Sequence, residues 1–104
     1  ELIDFMRDRQ RPMIVMGDFN AEWSEENNPV ELIAGELGLS AYRPQAAGQG
    51  TFAYNGKRLD WVLISAGLEF RSYQVMSDAV SDHRGVVAEL GLNNRLVRND
   101  FTDR

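Results

Sequence analysis

The sequence predicts an α/β fold, on three observations. Apolar runs at residues 12–17, 59–65 and 85–90 are short, nearly continuous and bounded by polar loops, as strands buried on both faces are. One helix with clear start and stop signals, from Asn28 to Gly38, lies between the first two runs. Strands that are apolar on both sides need a covering layer above and another below, and one layer of helices supplies only one of them.

Taken in order, Leu2, Ile3, Phe5 and Met6 fall on one side of a helical projection and read as the last turns of an amphipathic helix. Arg9-Gln10-Arg11 ends it before Pro12, which disfavours helix at the preceding residue. Pro12 to Met16 form the first strand, and Gly17 turns the backbone into the polar loop Asp18-Phe19-Asn20-Ala21. Asn28 is the expected N-cap, with Pro29 at N1 and Glu31 at N3. Leu32, Ile33 and Leu37 make the apolar stripe of this helix, and Gly38 ends it. Pro44, Gly48 and Gly50 mark residues 40–50 as a loop.

Asn55-Gly56, flanked by Thr51–Tyr54 and Lys57–Ser65, is a strong hairpin signal. A two-residue turn there sets Tyr54 opposite Lys57, Phe52 opposite Leu59 and Thr51 opposite Asp60. Leu68 to Met76 reads as a further strand nearer an edge, and Ser81-Asp82-His83 as a loop leading into the strand Gly85–Leu90. The expected domain covers residues 1–91, and residues 92–104 form a polar tail or a short helix.

Composition narrows the function classes. The chain has 104 residues, the size of one small domain. Its formal charge of -5, from 11 basic and 16 acidic residues, argues against a broad polyanion-binding surface. The basic residues are Arg except for Lys57, and Arg is the better bidentate partner for phosphate oxygens. Zero Cys excludes disulfides and thiolate metal sites and suits any compartment. No apolar run is long enough to span a membrane; the compartment is left open, with a soluble, cytoplasmic protein favoured. The chain starts at Glu1 in what reads as mid-helix, which leaves a signal peptide open.

The three strands carry polar groups at or near one end: Asp18 with Asn20, Asp60, and Asp82 with His83. Singly, each has an ordinary reading: a self-bonded turn, a carboxylate paired to Arg58 or bonded to Thr51, a surface histidine. Together they bring three carboxylates, an amide and the chain's single imidazole to one rim of a sheet. Hard oxygen ligands, a carboxylate base and cationic or amide donors are the equipment of metal-assisted phosphoester hydrolysis.

Gly17-Asp18-Phe19-Asn20, Arg58-Leu59-Asp60-Trp61-Val62-Leu63-Ile64-Ser65 and Ser81-Asp82-His83-Arg84 also resemble, in order and spacing, motifs of the endonuclease/exonuclease/phosphatase superfamily. That superfamily includes deoxyribonuclease I-like nucleases, apurinic endonucleases, inositol polyphosphate phosphatases and neutral sphingomyelinases. The resemblance covers roughly residues 1–91 and implies the C-terminal half of a four-layer α/β/β/α sandwich. It implies that Asp18 orients and deprotonates the attacking water and that Asn20 donates to a phosphate oxygen. His83 would stabilise developing phosphate charge, and Asp60 would hold its other ring nitrogen. Asp82, with Asp18, would lie beside Mg²⁺ (or Mn²⁺). Thr51 would brace the Asp60 carboxylate, while Arg84 and Trp23 are the expected substrate contacts. The family's metal-binding Glu and an Asn on earlier strands have no counterpart in residues 1–104.

The function expected is therefore a divalent-metal-dependent phosphoesterase acting on a small-molecule, lipid-headgroup or nucleic-acid phosphoester. Its catalysis would be completed by an N-terminal half of the domain or a second copy. The alternative is a non-catalytic binding or interaction domain that keeps the fold.

Overall fold

The computed structural model describes residues 11–77 and 81–93. Chain order is β1 (Ile14–Asp18), α1 (Pro29–Leu37), β2 (Leu39–Ala41), β3 (Asp60–Ser65), β4 (Leu68–Val75) and β5 (Val86–Leu92). The architecture is mixed α/β. β3 lies at the centre of an antiparallel sheet in the order β1-β3-β2, and β4 and β5 form a separate antiparallel ribbon. The expected helix over residues 2–6 and the tail beyond residue 93 lie outside the described residues. Among the described residues no helix is long and apolar enough to cross a membrane.

The register of β1 on β3 decides where the site lies. Ile14 pairs with Ile64, Met16 with Val62 and Asp18 with Asp60, so these six residues share one face of the sheet. Val15, Leu63 and Trp61 belong to the other face, which α1 covers through Val30 and Ala34 to form the core with Leu39. Met13, Phe19, Trp23, Ile33 and Leu37 pack around it. Both ends of the β1–β3 ladder are extended, by the Ser65 amide donating to the Met13 carbonyl (3.0 Å) and the Phe19 amide to the Leu59 carbonyl (2.9 Å).

Several expectations are corrected. β1 is not buried on both faces, since Ile14 and Met16 are 45% and 67% exposed; on the same face of β3 Ile64 is buried, so the cover is missing at the β1 side. β5 likewise exposes Val87 and Glu89 and runs on to Leu92, into the residues expected to begin the tail. Asp18 is the last residue of β1, not a loop residue, and Gly17 sits within the strand at φ 154°, a conformation that disfavours any side chain.

The helix signals hold, and its stripe holds at Ile33 and Leu37, which pack against the core, but not at Leu32. The Asn28 side chain accepts from the Glu31 amide (2.7 Å), and Gly38 closes α1 in the left-handed conformation, donating to the Ala34 carbonyl. The buried face is Val30 and Ala34, however, and Leu32 is exposed. Leu32 lies two residues from each of them, about 200° around the helix, and so faces solvent. The presumed loop 40–50 begins one strand late, because Leu39–Ala41 pair with β3 as β2.

The two-residue hairpin does not form. The Thr51 and Phe52 amides both donate to the Lys57 carbonyl (2.9 Å each), and the Gly56 amide donates to the Phe52 carbonyl (2.9 Å). This wider turn is closed locally by the Asn55 side chain, which accepts from the Lys57 amide (2.9 Å). The partner that segment 51–54 finds is the His83 loop, not β3: Phe52 makes an isolated antiparallel bridge with His83.

Candidate active site

Asp18 and Asp60 are cross-strand partners at the end of the uncovered face, and the loop before β5 brings His83 up to them. His83 Nδ1 lies 2.6 Å from Asp60 Oδ2, and its Nε2 lies 3.7 Å from Asp18 Oδ2. The imidazole thus stands between two carboxylates, both partly open to solvent. The hydrogen bond to Asp60 raises the His83 pKa above its ordinary 6.5, helped by the charges of Asp60, Asp18 and Asp82 and opposed by partial desolvation. Ligand-capable atoms of Asp18, Asp60 and His83 all lie within 4.8 Å of one another.

The ordinary readings of these residues can now be compared with their placement. Asp60 pairs with neither Arg58 nor the Thr51 hydroxyl through its carboxylate; His83 takes it. Thr51 acts on the backbone instead, its Oγ1 accepting from the Leu59 and Asp60 amides (3.0 and 3.1 Å). Arg58 is buried, with its guanidinium over the Trp61 ring (4.0 Å) and donating to the carbonyls of Arg43 and Tyr42 (2.9 and 2.6 Å). Asn20 is exposed in the left-handed region (φ 54°), and its amide donates to Asp18 Oδ1 (2.8 Å). That bond is the self-bonded turn of the ordinary reading, and it leaves Asp18 Oδ2 directed at His83.

Asp82 is exposed and tied down by its carbonyl, which accepts from the Ala53 amide (2.7 Å). Its carboxylate stands outside the compact Asp18–Asp60–His83 group while still acting on His83 by charge. Arg84 lines a hollow of about 250 Å³ on the uncovered face with Met16, Val62, Val86 and Asp60, and makes no ion pair among the described residues. Trp23, the other expected substrate contact, packs on Trp61 (5.6 Å between centroids) and lines a different hollow with Glu22, Pro44 and Arg58. Glu22 and Glu25 bind the segment that precedes β3: Glu22 accepts from the Arg58 amide (3.3 Å) and Glu25 pairs with Lys57 (3.3 Å).

Two neighbours of the site were not singled out by sequence. The Phe52 ring meets His83 edge-on, centroids 5.3 Å apart. The Trp61 indole donates to the Ala21 carbonyl (2.9 Å), tying the chain just after Asn20 to the strand that begins with Asp60. A buried indole needs such an acceptor, and that requirement was the available signal.

The comparisons with known proteins bear on this geometry. The model of the Endonuclease/Exonuclease/phosphatase family matches residues 1–83. The chain belongs to that family. Searches of curated proteins and of solved structures found no match. The matched segment spans β1, the Asp18 loop, β3 and His83, so every member of the Asp18–Asp60–His83 group falls inside it. Membership makes a hydrolase of phosphoester bonds, nuclease or phosphatase in type, the activity indicated at family level, and the mixed α/β architecture agrees with the family's α/β sandwich.

The chemistry of the donor set allows a divalent cation. Asp60 takes His83 Nδ1 and shifts the ring towards its protonated form, which makes the imidazole a better hydrogen-bond donor and leaves carboxylate oxygens as the readier donors to a cation. Asp18 and Asp82 are both solvent-exposed carboxylates, and Mg²⁺ takes one or two such groups with water and substrate oxygens.

Proposed function

We propose that this protein is a Mg²⁺- or Mn²⁺-dependent phosphoesterase in which an activated water attacks phosphorus. The observation that carries the reading is His83 held between Asp60 and Asp18, at 2.6 and 3.7 Å. Asp60 fixes the ring orientation and favours the charged imidazole, so that an N–H is available to a phosphoryl oxygen gaining negative charge. Asp18, an exposed carboxylate one residue before the loop, takes the proton as the water oxygen bonds to phosphorus. The P–O bond to the leaving group breaks, and the departing oxygen takes a proton from solvent. Asn20 offers its side-chain amide to the same phosphoryl group from the loop that follows β1. Asp18 and Asp82 are the residues that would hold the cation, which when bound neutralises phosphate charge as a Lewis acid. The substrate is a phosphoester of a small molecule, a lipid headgroup or a nucleic acid. The net charge of -5 favours the first two.

The test uses the full-length protein carrying these residues and a chromogenic phosphodiester. Hydrolysis should require Mg²⁺ or Mn²⁺ and stop with chelator. Asp18→Asn and His83→Ala should each lower kcat by about 100-fold or more, with folding intact. Unchanged turnover in chelator-treated, metal-free protein, or near-normal rates in both folded variants, would leave a non-catalytic binding domain as the better reading.

A further inference from the structure

We propose that Thr51 is a positioning residue, whose hydroxyl and carbonyl together hold the start of β3, carrying Asp60, in register with the loop carrying His83. The proposal deepens the reading of the site given above and rests on it. Thr51 is completely buried. Its Oγ1 accepts from two consecutive amides, those of Leu59 (3.0 Å) and Asp60 (3.1 Å), at the point where β3 begins. Its carbonyl accepts from the Arg84 amide (2.6 Å), one residue past His83. Two residues on, the Ala53 amide donates to the Asp82 carbonyl (2.7 Å), so His83 is bracketed by bonds to one short segment. Between them Phe52 bridges His83 and lays its ring against the imidazole, 5.3 Å between centroids.

Residues 51–53 therefore connect the two halves of a contact that no other described hydrogen bond spans. Asp60 and His83 are 23 residues apart in sequence, and their 2.6 Å bond tolerates little relative movement. A valine in place of Thr51 would keep the shape and both backbone bonds of that residue. It would remove the one acceptor that fixes the Leu59 and Asp60 amides, leaving buried donors unpaired. The strand start would shift to find other partners, and Asp60 would move with it. Orientation errors of this kind reduce the rate of the chemical step, not substrate binding.

His83 is the one histidine of residues 1–104, and a His83→Gln variant of the full-length protein identifies its imidazole signal by difference. Nitrogen-15 NMR of the full-length protein should show the hydrogen-bonded Nδ1–H of His83 in the wild type and in Thr51→Ser. In Thr51→Val that signal should be displaced or lost. In parallel, kcat for phosphoester hydrolysis should fall about 10- to 100-fold in Thr51→Val with KM little changed, and Thr51→Ser should restore it. Circular dichroism establishes that each variant is folded. A folded Thr51→Val with the wild-type His83 signal overturns the proposal, as does an equal effect of both substitutions. If Thr51→Val does not fold, Thr51→Ser decides: a displaced His83 signal with the hydroxyl still present overturns it. Failure of the protein to hydrolyse any phosphoester would sink the catalytic reading and leave the spectroscopic result to judge the positioning role.

Discussion

His83 is the residue on which the electrostatics of the site turn. Its bond to Asp60 and the charges of Asp18 and Asp82 favour the imidazolium, so its pKa lies above 6.5 in the folded chain. A histidine shifted in this direction contributes stability that is complete below pH 6.5, its unfolded value, and is lost as pH rises through the folded pKa. Denaturation midpoints should accordingly decline on the alkaline side of pH 6.5, and Asp60→Asn should flatten that decline while bringing the His83 titration measured by proton NMR back towards 6.5. An unmoved titration in folded Asp60→Asn would show that the short contact does not govern the ring. Much of this residue-scale picture was legible beforehand, since Asp18, Asp60 and His83 sit at ends of apolar strands where carboxylates are costly without a use. The partner of Asp60 was not legible, because a strand carboxylate beside Arg58 and opposite Thr51 has three credible bonds, and only the fold decides that His83 makes it. Arg58 is withdrawn by a different demand: its planar cation fits the Trp61 face and two orphan carbonyls at once.

At the scale of elements, the loop 21–28 joins the end of β1 to α1, and the Asn28 side chain holds it from within. Asn28 is buried; its Oδ1 caps α1 through the Glu31 amide, and its Nδ2 donates to the carbonyls of Trp23 (2.7 Å) and Glu25 (2.5 Å). The two duties can be separated by mutation. Asn28→Asp keeps a good cap and loses the donor, whereas Asn28→Ala loses both. Urea unfolding should place Asn28→Ala about 2 kcal/mol below wild type, roughly 1 for the cap and 1 for the loop bonds, with Asn28→Asp in between. Equal losses in the two variants would mean that the loop bonds carry the whole effect. The cap was readable from Asn-Pro followed by Glu, because capping is local. The loop bonds and the outward turn of Leu32 were not, because they depend on the path of the loop and on Val30 and Ala34 being the residues set against the sheet. The Asn55-Gly56 turn misled for a related reason: its local signal is real, but Thr51 and Phe52 gain more from the β3 start and the His83 loop than from extending a hairpin.

For the whole molecule, the decisive fact is that the site and the uncovered face are the same surface. Ile14, Met16 and Asp18 follow one another at strand spacing on β1, and Ile64, Val62 and Asp60 face them on β3. Whatever layer covers the apolar part of this face also walls the catalytic end. The strands' apolar patterning announced a two-sided burial; on this face Ile64 is buried, but Ile14 and Met16 on β1 stay 45% and 67% exposed. Apolar side chains so exposed along one strand bind hydrophobic probes and associate. Residues 1–104 purified alone should therefore bind a hydrophobic fluorescent dye and sediment as more than a monomer, and Met16→Ser with Ile14→Ser should reduce both. Their phosphoester hydrolysis should be slower than that of the full-length protein by about a thousandfold or more, since an unwalled site neither excludes water nor positions substrate. A dye-free monomer hydrolysing at the full rate would mean that this face is a finished surface, and that the Asp18–Asp60–His83 end needs nothing beyond it.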